Sequence, residues 1–309
     1  METQHSVLFP GGTDAETIAT LSWIMFGGAT AIFLSVAGLT AMAYLGGETM
    51  RRRIASGKFI FWGGVIFPLV TVTALLVYGL MLTGARVMAA SGTALRVQVS
   101  GEQWWWRVRY PASKEAAEAV TANEMRIPVG RDIEIELSSP DVIHSFWVPS
   151  LAGKVDMIPG VANRFRVRAT SPGIYRGQCA EYCGGPHAMM AFHVVALEPA
   201  QYEEWLERQR QPAASASLQK AGEDLFFSSG CNACHTIRGT RATGMIGPDL
   251  THVGGRLSLA AATLPNTADA FSRWIRDNQH VKPNNRMPPF GILSDRELAA
   301  LAGYLESLQ

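Results

Sequence analysis

The chain has a twelve-residue stretch, Cys179 to Met190, in which soft metal-ligating side chains are closely spaced. Two thiols stand four residues apart at Cys179 and Cys183, and His187 and Met190 follow. The Gly-Gly-Pro sequence at 184–186 predicts a tight loop, which lets several side chains converge on one point. Sulfur and imidazole donors suit copper, zinc or iron–sulfur centres, not magnesium or calcium. A disulfide or a zinc loop is the simpler interpretation of the same residues.

A second motif, Cys231-Asn-Ala-Cys-His235, has the C-x-x-C-H spacing of c-type haem attachment. In such a motif both thiols, Cys231 and Cys234, are bonded to the haem and His235 binds the iron. A redox-active cysteine pair or half of a zinc site is the alternative. The expected sixth ligand is Met287, in a proline-rich loop before the final helix. The rival candidates for that position are Met245, His252 and His280.

Length and composition limit the class of protein. The 309 residues allow two or three domains, and 48% hydrophobic with only 17% charged residues indicate a membrane part. A net charge of +1 indicates no nucleic-acid partner. Four cysteines are too few for a disulfide scaffold. They fall in two sequence pairs beside histidines, which favours cofactor binding over disulfide bonds.

Residues 1–90 are predicted to form a transmembrane hairpin. The charge-free runs Thr17–Gly47 and Phe59–Ala85 each exceed the roughly 20 residues that cross a bilayer, which predicts helices at about 17–47 and 59–85. Basic residues between positions 51 and 58 place that short loop in the cytoplasm by the positive-inside rule. Everything after Arg86 is then expected on the periplasmic side of a bacterial inner membrane.

The sequence pattern of residues 91–205 predicts a β-sandwich or barrel. Apolar and polar residues alternate in short runs separated by turn residues, a pattern typical of half-buried strands. The runs are 95–99, 131–137, 164–168 and 192–197. The metal loop joins two late strands, and His144 follows another strand and could reach the same end. Two bridging thiolates with one histidine per metal would hold two copper ions. The predicted ligand set is His144, Cys179, Glu181 (through its carbonyl), Cys183, His187 and Met190.

Residues 206–217 have the polar, small composition of a linker, and a helical domain is predicted at 218–309. Its expected packed helices are 218–229 and 294–308. Ser294 and Glu297 form a capping box at the start of the second of these.

The copper loop meets the pattern C-x-E-x-C-x3-H-x2-M in full and resembles that of subunit II of the haem–copper respiratory oxidases. The segments 144–150 and 156–160 extend this resemblance, which covers roughly residues 6–205. Residues 218–309 resemble small class I cytochromes c. The combination is similar to the caa-type terminal oxidases, which implies a membrane hairpin, a cupredoxin-like β-domain with a dinuclear copper A centre, and an all-α cytochrome c domain with covalent haem c.

The resemblance also implies roles for single residues. The Glu181 side chain is expected to bind a magnesium ion at the interface with subunit I. Trp104, within the aromatic stretch Gly101–Arg107, stands where electrons enter the copper site. The backbone at Gly247-Pro248 is expected to orient His235. In the family a glutamate often lies near the cytoplasmic end of the second helix, and Phe59–Trp62 has no acid there.

The function implied is to pass electrons from a periplasmic cytochrome c or other donor, through haem c and copper A, to subunit I. Oxygen would be reduced there, in a proton-translocating complex with subunit III as a further partner. Three alternatives remain open at this point. They are the corresponding subunit of a copper-A nitric oxide reductase, a membrane-anchored electron carrier without a fixed partner, and a structural zinc protein.

Overall fold

The structure is a computed structural model that describes residues 3–88, 94–113, 116–213 and 219–309. Positions 214–217 of the predicted linker, and Leu218 at the predicted start of the helical domain, lie outside the described residues. The chain forms two compact units. One comprises the residues up to Ala19 together with those from Ala94 onward, and the other comprises Thr20–Thr93.

Two N-terminal helical stretches are long and apolar enough to cross a membrane, as predicted. They are Thr13–Leu45, with a mean hydropathy of 1.8, and Gly57–Leu82, with 2.3, and their apolar windows are unburied in the structure. A π-helical turn at Trp62–Ile66 lies directly before Pro68, whose missing N–H interrupts the normal helical hydrogen-bond ladder. The helices of the chain are α1 Thr13–Leu45, α2 Glu48–Ile54, α3 Gly57–Phe61, α4 Phe67–Met88, α5 Pro199–Arg210, α6 Lys220–Ser228, α7 Ala268–Val281 and α8 Asp295–Ser307.

The middle of the chain is a β-sandwich, which confirms the predicted fold class. Its strands are β1 Thr3–Gln4, β2 Leu95–Glu102, β3 Trp105–Tyr110, β4 Ala119–Ala122, β5 Glu124–Pro128, β6 Ile133–Ser138, β7 His144–Trp147, β8 Val155–Met157, β9 Asn163–Val167, β10 Gly173–Cys179 and β11 Ala191–Leu197. One sheet has the order β5-β11-β10-β7-β8, with β1 paired to β10, and the other has the order β4-β3-β2-β6-β9.

The space between the sheets is filled by alternate side chains of the strands, as the period-two pattern requires. Trp106 is fully buried and packs on Phe146 and Phe192, with ring centroids 5.8 and 4.8 Å away. Trp106, the third of the three adjacent tryptophans at 104–106, is therefore a core residue. This core holds the copper loop at one end of the sandwich.

The residues before the first membrane helix pack on the β-domain, an arrangement that the charge pattern gave no reason to expect. Strand β1 pairs in parallel with Ile174 and Tyr175 of β10. Gly11 N–H donates to Ser150 O at 2.7 Å, and Ala15 N–H donates to Leu151 O at 3.1 Å. The N-terminal segment and the start of α1 are thus tied to the sandwich by backbone hydrogen bonds.

The C-terminal domain is built from α6, α7 and α8, with short strand pairs in its loops: β12 Thr236–Ile237 with β13 Ala242–Thr243, and β14 Ser258–Leu259 with β15 Leu264–Pro265. Phe226, Phe271 and Leu301 lie in its buried core. The predicted capping box is confirmed, since Ser294 and Glu297 exchange hydrogen bonds at the start of α8. Helix α7 was not among the predicted helices, although Thr267 caps its first turn.

Candidate copper and haem sites

Strand pairing brings the distant histidine to the cysteine loop. Cys179 ends β10, and its register partner on β7 is Phe146, two residues after His144. The His144 side chain is fully buried, with its Nδ1 3.8 Å from Cys179 Sγ. The ligating atoms of His144, Cys179 and Cys183 all lie within 4.8 Å of one another. The sheet therefore assembles a donor cluster from residues more than thirty positions apart.

The second half of the cluster comes from the loop itself. Cys183 Sγ lies 3.8 Å from Cys179 Sγ, 3.4 Å from His187 Nδ1 and 3.8 Å from Met190 Sδ. The Cys179 thiol lies 3.2 Å from the Glu181 carbonyl oxygen. Gly184 has φ +111, a conformation that favours glycine at this turn. Each sulfur thus faces its own histidine, and the structure brings all six predicted ligand residues to one place.

The two thiols are electrostatically coupled. The hydrogen bond between them lowers the pKa of Cys179 to about 4 and raises the pKa of Cys183, because the pair shares one proton. A thiolate is the form of cysteine that binds metal. All four cysteines of the chain are free thiols.

Asp141 holds the His144 ring in place from behind. Its Oδ1 lies 2.9 Å from His144 Nε2, so Nδ1 is directed at the sulfur. Burial acts to raise the pKa of Asp141, but hydrogen bonds from Gln103 N–H and from His144 outweigh it and hold the pKa below its usual value. Burial acts to lower the pKa of His144, and its hydrogen bonds to Cys179 and Asp141 raise it above the ordinary value. Such a carboxylate–histidine pair fixes the orientation of a metal ligand.

The donor set fits a dinuclear copper centre. Two thiolates, two imidazoles, a thioether and a carbonyl surround the same point, and these soft donors match copper or zinc. The paired arrangement, with one histidine on each sulfur, provides for two metal ions. The assignment of these residues as copper ligands remains a proposal.

A cavity of about 490 Å³ lies beside the C-x-x-C-H motif. Its walls include Cys231, Cys234 and His235, together with apolar side chains such as Phe271 and Trp274. Arg256 also lines it, and among the described residues the buried Arg256 Nε has no hydrogen-bond partner. A large apolar cavity with adjacent thiols, an imidazole and an unpaired guanidinium nitrogen for an acidic group fits a covalently bound haem.

The His235 ring is oriented as the Gly247-Pro248 motif predicts. Its Nδ1 donates a 2.7 Å hydrogen bond to the Pro248 carbonyl, which leaves Nε2 for the iron. Gly247 is required because a Cβ there would lie 2.5 Å from His235 Cε1. Burial lowers the pKa of His235, which favours the neutral imidazole that binds metal.

Met287 lines the cavity on a loop that is held by buried amides. Asn278 is fully buried and donates to Pro288 O at 3.0 Å, and Gln279 donates to Met287 O at 3.1 Å. Met287 N–H donates to Asn285 Oδ1 at 2.9 Å. These contacts fix the backbone of the loop that carries Met287 beside the cavity, and Met287 as the sixth ligand stays a prediction.

The rival ligands lie elsewhere. Met245 is 70% exposed, at the domain surface. His252 is buried, but its Nε2 bonds to Gln211 O at 3.1 Å. His280 is part of α7 and is exposed.

Trp104 connects the two sites. Trp104 lines the haem cavity, and its indole N–H donates a 3.0 Å hydrogen bond to the carbonyl of Cys183. The Gln103 amide donates to the same carbonyl at 2.8 Å. The tryptophan thus lies between the cavity and a backbone atom of a proposed copper ligand.

Sequence reasoning missed three residues of these sites. Asp141 carried a signal, since an acid three positions before a ligating histidine is a common orienting group. Gln103 and Lys282 carried none, because their partners lie about eighty or more positions away along the chain. Lys282 is only 3% exposed, and burial acts to lower its pKa, whereas the three carbonyls that accept from its Nζ favour the charged form.

Two protein families match the chain over separate regions. The family model described as cytochrome c oxidase subunit II, periplasmic domain, matches residues 115–197. The model described as cytochrome c matches residues 219–309. Together the two matches cover more than half of the chain.

Relatives from bacteria match across a larger share. Cytochrome c oxidase subunit 2 of Alkalihalophilus pseudofirmus is 37% identical over 69% of this chain and 61% of that protein. Cytochrome c oxidase subunit 2 of Bacillus subtilis is 29% identical over 86% of this chain and 79% of that protein. A crystal structure of the periplasmic domain of subunit II of cytochrome oxidase of Bradyrhizobium japonicum has 30% identity, a TM-score of 0.36, and coverage of 38% of this chain and 95% of that one. The chain therefore spans about three fifths of the length of the first of these relatives. Its residues 115–197 belong to the family of the periplasmic domain of cytochrome c oxidase subunit II, and its residues 219–309 belong to the cytochrome c family.

Proposed function

We propose that this chain is the subunit of a membrane-bound aerobic terminal oxidase that receives electrons from a periplasmic donor. It passes them from its own haem c to its dinuclear copper A centre, and from there to the oxygen-reducing site of subunit I. The bound haem and copper centre supply the one-electron chemistry. The residues of the chain bind these groups, orient them and keep them close together.

The observation that carries this proposal is the position of Trp104. Trp104 is one of the residues that line the cavity of the haem motif, and its indole N–H donates a hydrogen bond to the Cys183 carbonyl. A continuous path of packed and hydrogen-bonded atoms therefore runs from one redox site to the other. Two unrelated metal sites in one chain would not need to share a residue. Electron transfer from one site to the other does require that the two sites lie close together.

The copper-site residues keep the metal geometry constant in both redox states. Cys179 and Cys183 would hold the two copper ions through their thiolates, together with His144 and His187. Met190 and the Glu181 carbonyl complete the set. Asp141 holds the His144 ring in one orientation, which lowers the structural change that accompanies gain or loss of an electron.

In the cytochrome domain, Cys231 and Cys234 would attach the haem, and His235 and Met287 would bind its iron. A methionine opposite a histidine raises the iron potential and fills the sixth position, which suits electron transfer rather than oxygen binding. The Glu181 side chain, which is partly exposed, is proposed to bind magnesium against subunit I.

The two apolar helices fit a membrane-anchored protein. We propose the bacterial inner membrane, with the short basic loop in the cytoplasm and both soluble domains on the periplasmic side. Subunits I and III of the oxidase are the proposed membrane partners.

Purification of the intact complex from the native membrane tests this function. We expect subunit I to co-purify, a covalent haem stain on this chain, near-infrared absorption from the copper centre, and consumption of oxygen with a reduced c-type cytochrome as donor. Consumption of nitric oxide but not oxygen would assign the chain to a nitric oxide reductase. Isolation of this chain alone would favour a free carrier, and the absence of both spectra would favour a zinc protein.

A further inference from the structure

The end of α7 carries a buried lysine whose three hydrogen bonds join two domains. Lys282 Nζ donates to Ala260 O at 3.3 Å within the cytochrome domain. It also donates to Trp104 O at 2.7 Å and to Met189 O at 2.9 Å, both in the copper domain. An ammonium group has three N–H donors and no acceptor, so these three carbonyls use its full capacity.

The burial of this charge has to be compensated. Lys282 is 3% exposed, and moving an ammonium out of water is costly unless hydrogen bonds replace the lost solvent. Two of the three replacement acceptors belong to the other domain. Separation of the domains would leave the ammonium with a single carbonyl of its own domain, so the lysine and the docked arrangement support each other.

The two acceptors in the copper domain adjoin the redox path. Trp104 donates through its indole to the Cys183 carbonyl and accepts through its own carbonyl from Lys282. Met189 directly precedes the proposed ligand Met190. Lys282 also lines the haem cavity. One side chain is therefore bonded to the residue between the two sites and to the copper loop.

Other contacts support the same docked arrangement. Glu124 is a buried carboxylate of the copper domain that accepts from the backbone N–H of Leu257 at 2.7 Å. Arg107 is paired with Glu102 at 2.7 Å and donates to the Met245 carbonyl at 2.8 Å. Charged side chains of the copper domain thus bind backbone atoms of the cytochrome domain. Lys282 is a charged side chain of the cytochrome domain that binds backbone atoms of the copper domain.

We propose that Lys282 is a positioning residue that latches the cytochrome domain onto the copper domain and holds Trp104 between the two redox sites. The proposal rests on the proposed function, because a fixed contact between the two domains at this place serves electron transfer within the chain. It differs from the loose attachment that the linker composition of residues 206–217 would allow. The docked state is the state in which transfer occurs.

The test uses the full-length, cofactor-loaded oxidase complex and the variant Lys282→Met, which keeps an unbranched side chain one atom shorter and removes its charge and donors. The matched control is Lys220→Met, since Lys220 is exposed and pairs only with acids of its own helix. Pulsed electron paramagnetic resonance measures the distance between the oxidised haem iron and the copper centre. Flash reduction of the haem measures the rate of electron transfer to copper.

We expect one narrow distance distribution in the native complex and in Lys220→Met, and a broad one in Lys282→Met. Loss of charge-assisted hydrogen bonds weakens docking by about tenfold or more, and we expect the internal transfer rate to fall by about the same factor. The optical spectra of both centres should stay unchanged in Lys282→Met.

A broad distance distribution in the native complex would overturn the proposal without any variant. An unchanged rate and distance in Lys282→Met would overturn it as well. The proposed function fails in a different way, because the native complex would then lack the haem or copper spectrum or would not consume oxygen. The two failures are therefore distinguishable.

Discussion

The copper site and the haem site occupy neighbouring domains but are built on different principles. The copper donors converge on one point, with sulfur and nitrogen atoms 3.4–3.8 Å apart in a loop held by paired strands. The haem residues instead surround a cavity of about 490 Å³. A loop held between paired strands positions its metal-ligating side chains by itself. The three helices of the cytochrome domain instead need the haem as part of their hydrophobic core. Metal loss and haem loss should therefore have unequal consequences for folding.

The largest effect is expected from loss of haem attachment in the double variant Cys231→Ala, Cys234→Ala. A dry cavity of 490 Å³ has an upper-bound cost of about 12 kcal/mol at ~24 cal/mol per Å³. That is comparable to the whole stability of about 5–15 kcal/mol of a typical domain. We expect rapid proteolytic cleavage within residues 219–309 of the full-length variant, with cleavage sites mapped by mass spectrometry.

The copper signal is the internal control for this variant, because the β-domain does not depend on haem for its core. If residues 219–309 of the variant are cleaved no faster than those of the native chain, the predicted difference between the copper site and the haem site is wrong.

The next largest effect is expected from Cys183→Ser. Removal of one bridging sulfur should abolish the dinuclear copper signal completely, because the hydroxyl is a poor ligand for copper and Cys183 contacts three other donors. Near-infrared absorption and electron paramagnetic resonance measure this loss. The haem spectrum should be retained, and the β-domain should stay folded. Retention of the copper signal would rule out the proposed ligand set.

Met287→Ala should change the haem without releasing it. The thioethers at Cys231 and Cys234 keep the group attached, whereas loss of the sixth ligand alters the low-spin spectrum and lowers the midpoint potential. Optical spectroscopy and redox titration measure both changes. Met245→Ala is the matched control, since Met245 is 70% exposed. The same spectral change in Met245→Ala would transfer the ligand assignment to that residue.

The smallest effect is expected from Asp141→Asn. The amide keeps the size of the side chain but removes the charge that holds His144 Nε2, and such changes behind a metal ligand weaken metal binding by roughly 10–100-fold. Competition with a copper chelator measures the affinity. Asp156→Asn on β8, at an exposed position, is the control and should bind copper as the native chain does. Equal affinities for the two variants would remove Asp141 from the copper site.

Much of the fold was predictable because its signals are local. Charge-free runs indicate membrane helices, alternation predicts β2, β6, β9 and β11, and Ser294 with Glu297 marks the start of α8. Helix α7 was missed because its Asn- and Gln-containing C-terminal part resembles a loop. Its buried amides support the Met287 loop through contacts that become visible only in three dimensions.

The sequence by itself determined the chemistry of both sites, because the C-x-E-x-C-x3-H-x2-M and C-x-x-C-H motifs place most ligands within a few residues of each other. Tertiary structure alone decided the rest. The pairing of β7 with β10 brings His144 to Cys179, and the amide contacts favour Met287 over Met245. The docking of the domains depends on Lys282, whose acceptors lie up to 178 positions away. Periodicity and motif spacing report only on residues that are close together along the chain. The carbonyl groups that accept from a buried charge can come from anywhere in the chain, so only the tertiary structure identifies them.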